Sequence, residues 1–170
     1  MRYVLSALIA IALIVLLCAA WMGAFRSVAV TEEDRGPFTL VYMSIAPGQL
    51  DQVGPITDQL DAALTAAGIS QRKPLDLFQP DGSGDVGFAV EGATADQLAN
   101  LPSKASSRVI PAQRVMVATF PWRNRGSYML GYIKVDRALA DYRAAHGYKK
   151  VEAMSLLDGA TIVYMQPVVK

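Results

Sequence analysis

The feature that most constrains this chain is a pattern written twice. Thr39-Leu40-Val41-Tyr42-Met43-Ser44-Ile45 and Arg114-Val115-Met116-Val117-Ala118-Thr119-Phe120 begin 75 residues apart. Both are apolar runs rich in strand-forming residues, and each stops at a proline, Pro47 or Pro121. Each predicts a strand, and a helical stripe follows each. In the first copy Val53, Ile56, Leu60, Leu64 and Ala67 recur at three or four residues until Gly68. In the second, Val135, Leu139 and Tyr142 do so until Gly147. Such a stripe buries one helix face. Two short strands then follow each helix. Leu75-Asp76-Leu77-Phe78 and Val86-Gly87-Phe88-Ala89-Val90 flank the turn Pro80-Asp81-Gly82-Ser83-Gly84; residues 151–157 and Thr161-Ile162-Val163-Tyr164-Met165 flank Asp158-Gly159. Asp-Gly between extended runs is a hairpin signal. The fold class is therefore α+β: a duplicated strand–helix–strand–strand unit forming one antiparallel sheet with two helices on one face. The halves run over about 37–92 and 110–168. Between them, Asp96 to Leu101 predicts a helical turn before Pro102, and Ser103 to Ser107 a loop.

Ahead of the doubled unit, the 23 residues from Tyr3 to Phe25 carry no charge, and Ser6 is the only clearly polar one. The chain's apolar share of 52% and mean hydropathy of +0.26 are raised by this stretch. A helix crossing a bilayer core needs about 20 mostly apolar residues, and Val4 to Ala24 meets that between Arg2 and Arg26. Trp21 and Phe25 lie near one end, where aromatic rings favour the interface. The expectation is a single transmembrane signal-anchor over 1–26, in contact with membrane lipid through residues 4–24. A charged tether over 27–36 and a domain over 37–170 would follow. A cleaved signal peptide is the alternative, since Cys18-Ala19-Ala20 offers small residues to a peptidase. Leu17 fits poorly before a lipidated cysteine. Arg2 and the α-amino group favour a cytoplasmic N-terminus, which gives a single-pass protein of the bacterial inner membrane with its domain in the periplasm; Arg26 opposes this. Ala20 and Ala24 offer one weak helix-pairing motif, and nothing sets an oligomeric state.

Charge excludes more than it assigns. Residues 27–170 hold 14 Lys and Arg against 15 Asp and Glu, so the small positive total is no sign of nucleic-acid binding. The halves differ, however: residues 37–95 have two basic and seven acidic groups, and residues 101–170 have eleven and four. This polarity fits pairing of the halves, an anionic ligand or a lipid surface. One cysteine makes no intrachain disulfide. There is no P-loop, Gly-x-Ser-x-Gly or dinucleotide fingerprint, and Gly82-Ser83-Gly84 is too short for a phosphate cradle. Asp81 and Asp85 lack the calcium-loop pattern, and His146 with Cys18 builds no metal site. His146, beside Gly147, reads as a helix-end residue. Ser44, Ser127 and Ser155 have no evident base. No cofactor, metal or catalytic residue is expected.

Three pieces carry a resemblance. They are Ile110-Pro111-Ala112-Gln113-Arg114 leading into the middle strand, Gly126-Ser127-Tyr128-Met129 at the second helix start, and Leu157-Asp158-Gly159 in the last hairpin. Asp76-Leu77-Phe78 before Asp81-Gly82 echoes them in the first half. The doubled unit over about 37–168 resembles the GyrI-like small-molecule-binding domain, which is also the effector-binding module of some bacterial transcription activators. The resemblance implies a cleft between the two helices, lined by aromatic rings and holding a buried glutamate that meets a cationic ligand. It implies the ligand pocket without the DNA reader, because no helix-turn-helix pattern precedes the domain. The nearest acid is Glu152. The family's glutamate and aromatic would stand closer to Leu157-Asp158-Gly159, where this chain has Ala153-Met154-Ser155. Glu152 is thus about one position out of phase, and a one-residue slip turns a strand side chain to the other face.

Tyr42, Trp122, Tyr128, Tyr132 and Tyr164 fall near strand ends, the helix start or the last strand, and are the candidate pocket rings. Core packing is the alternative role for each. Arg123, with Arg125, Arg114 and Lys134, is the region to test for an anionic ligand. The leading expectation is membrane-anchored, non-enzymatic binding of a small hydrophobic or amphipathic molecule between the helices. One alternative is an adaptor whose cleft is filled by Met129 and Met154. The other is a small hydrolase in which Glu152, with Tyr128 or Trp122, activates water.

Overall fold

The computed structural model describes residues 2–170, apart from the side chains of Arg2, Leu5 and Arg125. The elements are α1 (Arg2–Trp21), β1 (Val30–Arg35), β2 (Phe38–Ile45), a 3-10 turn (Leu50–Gln52), α2 (Val53–Ala66), β3 (Arg72–Phe78), β4 (Gly84–Val90), α3 (Ala95–Ala99), β5 (Ser106–Ile110), β6 (Gln113–Pro121), α4 (Arg125–His146), β7 (Ala153–Asp158) and β8 (Thr161–Pro167). The two units are β2-α2-β3-β4 and β6-α4-β7-β8. They form one eight-stranded sheet in the order β1-β6-β8-β7-β3-β4-β2-β5. The units meet at its centre, where β3 pairs antiparallel with β7 from Leu75↔Leu156 to Phe78↔Ala153.

Two strands extend the expected pattern. β1 forms from residues that read as a tether, and β5 starts in residues that read as a loop. β1 precedes the first unit but pairs with β6 of the second. β5 precedes the second unit but pairs with β2 of the first. Each unit therefore lends its leading strand to the other. The charges of β1, Glu32-Glu33-Asp34-Arg35, suit an edge strand that must not recruit another chain.

Alternation along the strands sorts the core into two faces. On one face, Leu60 and Leu64 of α2 pack with Val41, Met43 and Phe88. On the same face, Val135 and Leu139 of α4 pack with Met116, Phe120 and Ile162. Among the described residues no helix covers the opposite face, yet Leu40, Leu75, Val115, Met154 and Met165 on it are almost wholly buried. Strands from both ends of the sheet contribute to that single cluster. The sheet is therefore curled, and its inner face packs on itself.

Helix α1 corrects the reading of the N-terminus. Gly23 takes φ +92°, and the chain turns back onto the domain. A Cβ there would lie 2.9 Å from the Phe120 ring. Lys134 Nζ donates to the carbonyls of Ala24 at 2.6 Å and Arg26 at 2.5 Å, at the end of this turn. The helix thus covers Val4–Trp21 of the expected Val4–Ala24 span. Among the described residues no helix is long and apolar enough to cross a membrane. The transmembrane anchor, its lipid contact over residues 4–24 and the inner-membrane, periplasmic placement are corrected accordingly.

Candidate functional site

Helix α2 packs on β2 and β4, and α4 packs on β6 and β1. The central strands β8, β7 and β3 lie between β6 and β4, on which the two helices pack, and the helix-side surface above them is the candidate groove. A cross-strand row runs along it. Asp76 is paired with Ser155, Ser155 with Tyr164, and Tyr164 with Ala118. Leu75 and Leu77 point into the curled inner face, so the pleat turns Asp76 to the helix side.

Asp76 is the acid of this groove. Its Oδ1 accepts the Gly87 N–H at 3.2 Å. Burial outweighs that bond and lifts the carboxyl from 3.8 to about 6. The residue is still partly accessible to solvent. Tyr128, from the first turn of α4, has the Ser155 hydroxyl beside its phenol. Burial raises the Tyr128 phenol, and the Asp76 charge raises it further. Tyr164 is buried, and its hydroxyl has no hydrogen-bond partner among the described residues. Burial pushes this phenol well up, with Tyr128 and Tyr132 adding to the effect. An unpaired buried hydroxyl costs about 1–3 kcal/mol, so a group that paired with it would recover that loss.

The start of α4 is held firmly by its cap. Asn124 Oδ1 accepts the Ser127 N–H at 2.9 Å, and Ser127 Oγ accepts the N–H groups of Asn124 at 3.0 Å and Arg123 at 2.8 Å. This reciprocal box fixes the turn that carries Tyr128. Trp122 meets Tyr128 edge-on, with ring centroids 6.1 Å apart. Gly131 lets the helix settle closely, since a Cβ there would lie 2.7 Å from the Phe120 ring and 3.1 Å from the Tyr164 hydroxyl.

Of the residues expected from the sequence, Trp122, Tyr128, Tyr132 and Tyr164 gather on this side of the sheet. Tyr42 does not. Val41 and Met43 face α2, so Tyr42 faces the other way, where the Arg108 guanidinium lies 5.2 Å from its ring centroid. Arg123 lies over the Trp21 ring at 5.9 Å. Glu152 precedes β7 and accepts the Gln79 Nε2–H at 3.1 Å, away from the Asp76 row. Met129 is exposed and Met154 belongs to the inner face, so neither fills the groove. Sequence reasoning missed Asp76 and Ser155 as site residues. The available signal was the matched triplet Leu75-Asp76-Leu77 and Met154-Ser155-Leu156, which puts one polar group per unit at the join.

No protein-family model matches the chain, and no curated protein matches it. Solved structures do. SAV2435 bound to tetraphenylphosphonium is 14% identical with a TM-score of 0.59, over 82% of this chain and 93% of that one. The C-terminal domain of EcmrR is 12% identical with a TM-score of 0.65, over 84% and 98%. A hydrolase from Listeria innocua is 8% identical with a TM-score of 0.56, over 82% and 90%. At such identities the likeness is one of fold: the chain shares the α+β architecture of these structures.

Proposed function

We propose that the groove between α2 and α4 binds a small amphipathic molecule carrying a positive charge, with Asp76 as its counter-ion. One observation carries the reading: a desolvated carboxyl on the groove floor, facing the same space as Tyr128 and Tyr164 and lifted to about 6. An ionised carboxylate in such a place lacks solvation, and a lipophilic cation would supply the missing charge. Aromatic faces attract the same cation. The fold likeness to SAV2435, solved with tetraphenylphosphonium, supports a ligand of this class. Glu152, bonded by Gln79 away from the groove, gives hydrolysis no support.

The test is calorimetric titration of the full chain with tetraphenylphosphonium at pH 7 and pH 5. A carboxyl with a pKa of about 6 is about nine-tenths ionised at pH 7 and one-tenth at pH 5. Binding at pH 7 should therefore weaken about tenfold at pH 5. Affinity that ignores pH would remove Asp76 from the reading. No saturable binding of any amphipathic cation would favour the adaptor alternative.

A further inference from the structure

Away from the groove, the structure holds a cavity of about 550 Å³ between the end of β2, the start of α2 and the segment leading into β5. That volume falls within the roughly 300–1,000 Å³ of small-molecule sites. Its floor is apolar: Met43 and Ile45 are buried, and Ile56 is half-buried. Its rim is polar and exposed, with Gln49, Gln59 and Lys104 among the lining residues.

The polar groups around this cavity are not evenly matched. Lys104 is the only charged lining side chain and makes no ion pair among the described residues. Two nearby acids have partners of their own. Asp51 accepts the Gln52 Nε2–H at 2.9 Å, and Asp85 accepts the Ser44 hydroxyl at 2.7 Å while pairing with Arg108 at 2.7 Å. Gln49 Oε1 accepts the Ala46 N–H at 3.0 Å, which leaves the Gln49 amide nitrogen to donate outward. An ammonium and an amide donor thus stand over an apolar floor. We infer that this cavity is a second ligand site, independent of the groove, and that it takes a carboxylate-headed amphiphile with its tail on Met43, Ile45 and Ile56. A single lysine with no arginine fork suits a singly charged head better than a phosphate dianion.

Sodium octanoate is the probe, titrated into the full chain labelled at methionine and isoleucine methyl groups and followed by NMR. Saturable shifts are expected at Met43, Ile45 and Ile56. Lys104→Glu should weaken the apparent affinity about tenfold through lost attraction and added repulsion. Octanol, with the same tail and no charge, should bind more weakly than octanoate. Gln59→Trp, an exposed change at the rim, should block the shifts while leaving the fold intact. Shifts confined to Ile9, Ile11 and Ile14 of α1 would overturn the inference, because the tail would then be using that exposed apolar helix. An affinity unchanged by Lys104→Glu would overturn the carboxylate assignment. The groove's tetraphenylphosphonium binding should survive both substitutions, so failure at one site is separable from failure at the other.

Discussion

Asp76→Asn should make the protein more stable and a poorer binder of cations. In the folded chain the carboxyl titrates at about 6 instead of 3.8, because burial disfavours its charge. That difference corresponds to about 3 kcal/mol of ionisation cost carried by the native state at pH 8. The sign follows from proton linkage. Asp76 favours the fold when protonated, fully below its unfolded value of 3.8, and loses that contribution as pH rises through about 6. Asparagine cannot ionise, yet its carbonyl can still accept the Gly87 N–H that Oδ1 now accepts. Allowing for imperfect pairing of the new amide, the variant should gain about 1–3 kcal/mol at pH 8 and almost nothing at pH 4. Urea unfolding of both proteins at pH 4, 6 and 8 measures this directly. Tetraphenylphosphonium affinity at pH 7 should fall at least about tenfold in the same variant. A variant less stable than the parent by an equal amount at pH 4 and pH 8 would refute the reasoning. Asp76 would then be a structural acceptor, with no stored cost for a cation to relieve.

Three further outcomes are expected. Gly131→Ala should destabilise by about 1–3 kcal/mol in urea unfolding, because its Cβ would press on Phe120 at 2.7 Å; this exceeds the roughly 1 kcal/mol that alanine adds to a helix. Glu32→Gln should lower the thermal midpoint at pH 7, since the Tyr148 hydroxyl, then Tyr142 and Arg114, hold this carboxyl below its ordinary 4.5. That contribution is present above 4.5 and is lost as pH falls through the depressed value, so melting curves of parent and variant should converge in strong acid. Exchanging the central pair, Asp76→Ser with Ser155→Asp, should restore the pH-dependent cation binding that Asp76→Ser alone loses, as read by calorimetry.

The doubled unit was legible because each of its pieces is local. Apolar runs end at Pro47 and Pro121, stripes end at Gly68 and Gly147, and hairpins turn at Asp81-Gly82 and Asp158-Gly159. Strands β1 and β5 were not legible, because each finds its partner in the other unit. Glu32, Glu33 and Asp34 look like a solvated tether until β6 lies beside them. The N-terminal helix was visible in its apolar content, but its end depends on a tertiary contact: the turn at Gly23 packs on Phe120, which lies almost a hundred residues away. Tyr42 was identified as a pocket ring from its position near a strand end. Its face follows instead from its β2 neighbours Val41 and Met43, which pack against α2.

The acid shows how the resemblance and the residues can both hold. The resemblance implies a buried acid in the second unit, and Glu152 stands there out of phase. The structure puts a half-buried acid in the first unit, opposite the serine that occupies the matching triplet of the second. β3 and β7 are neighbours at the join, so moving the carboxylate from one unit to the other displaces it by about one strand spacing, 4.8 Å. It stays on the same floor and faces the same helices. A groove built on a duplicated unit therefore offers two nearly equivalent places for one charge. On the proposed reading one carboxylate at the join meets the cation, and the pleat of either central strand can supply it.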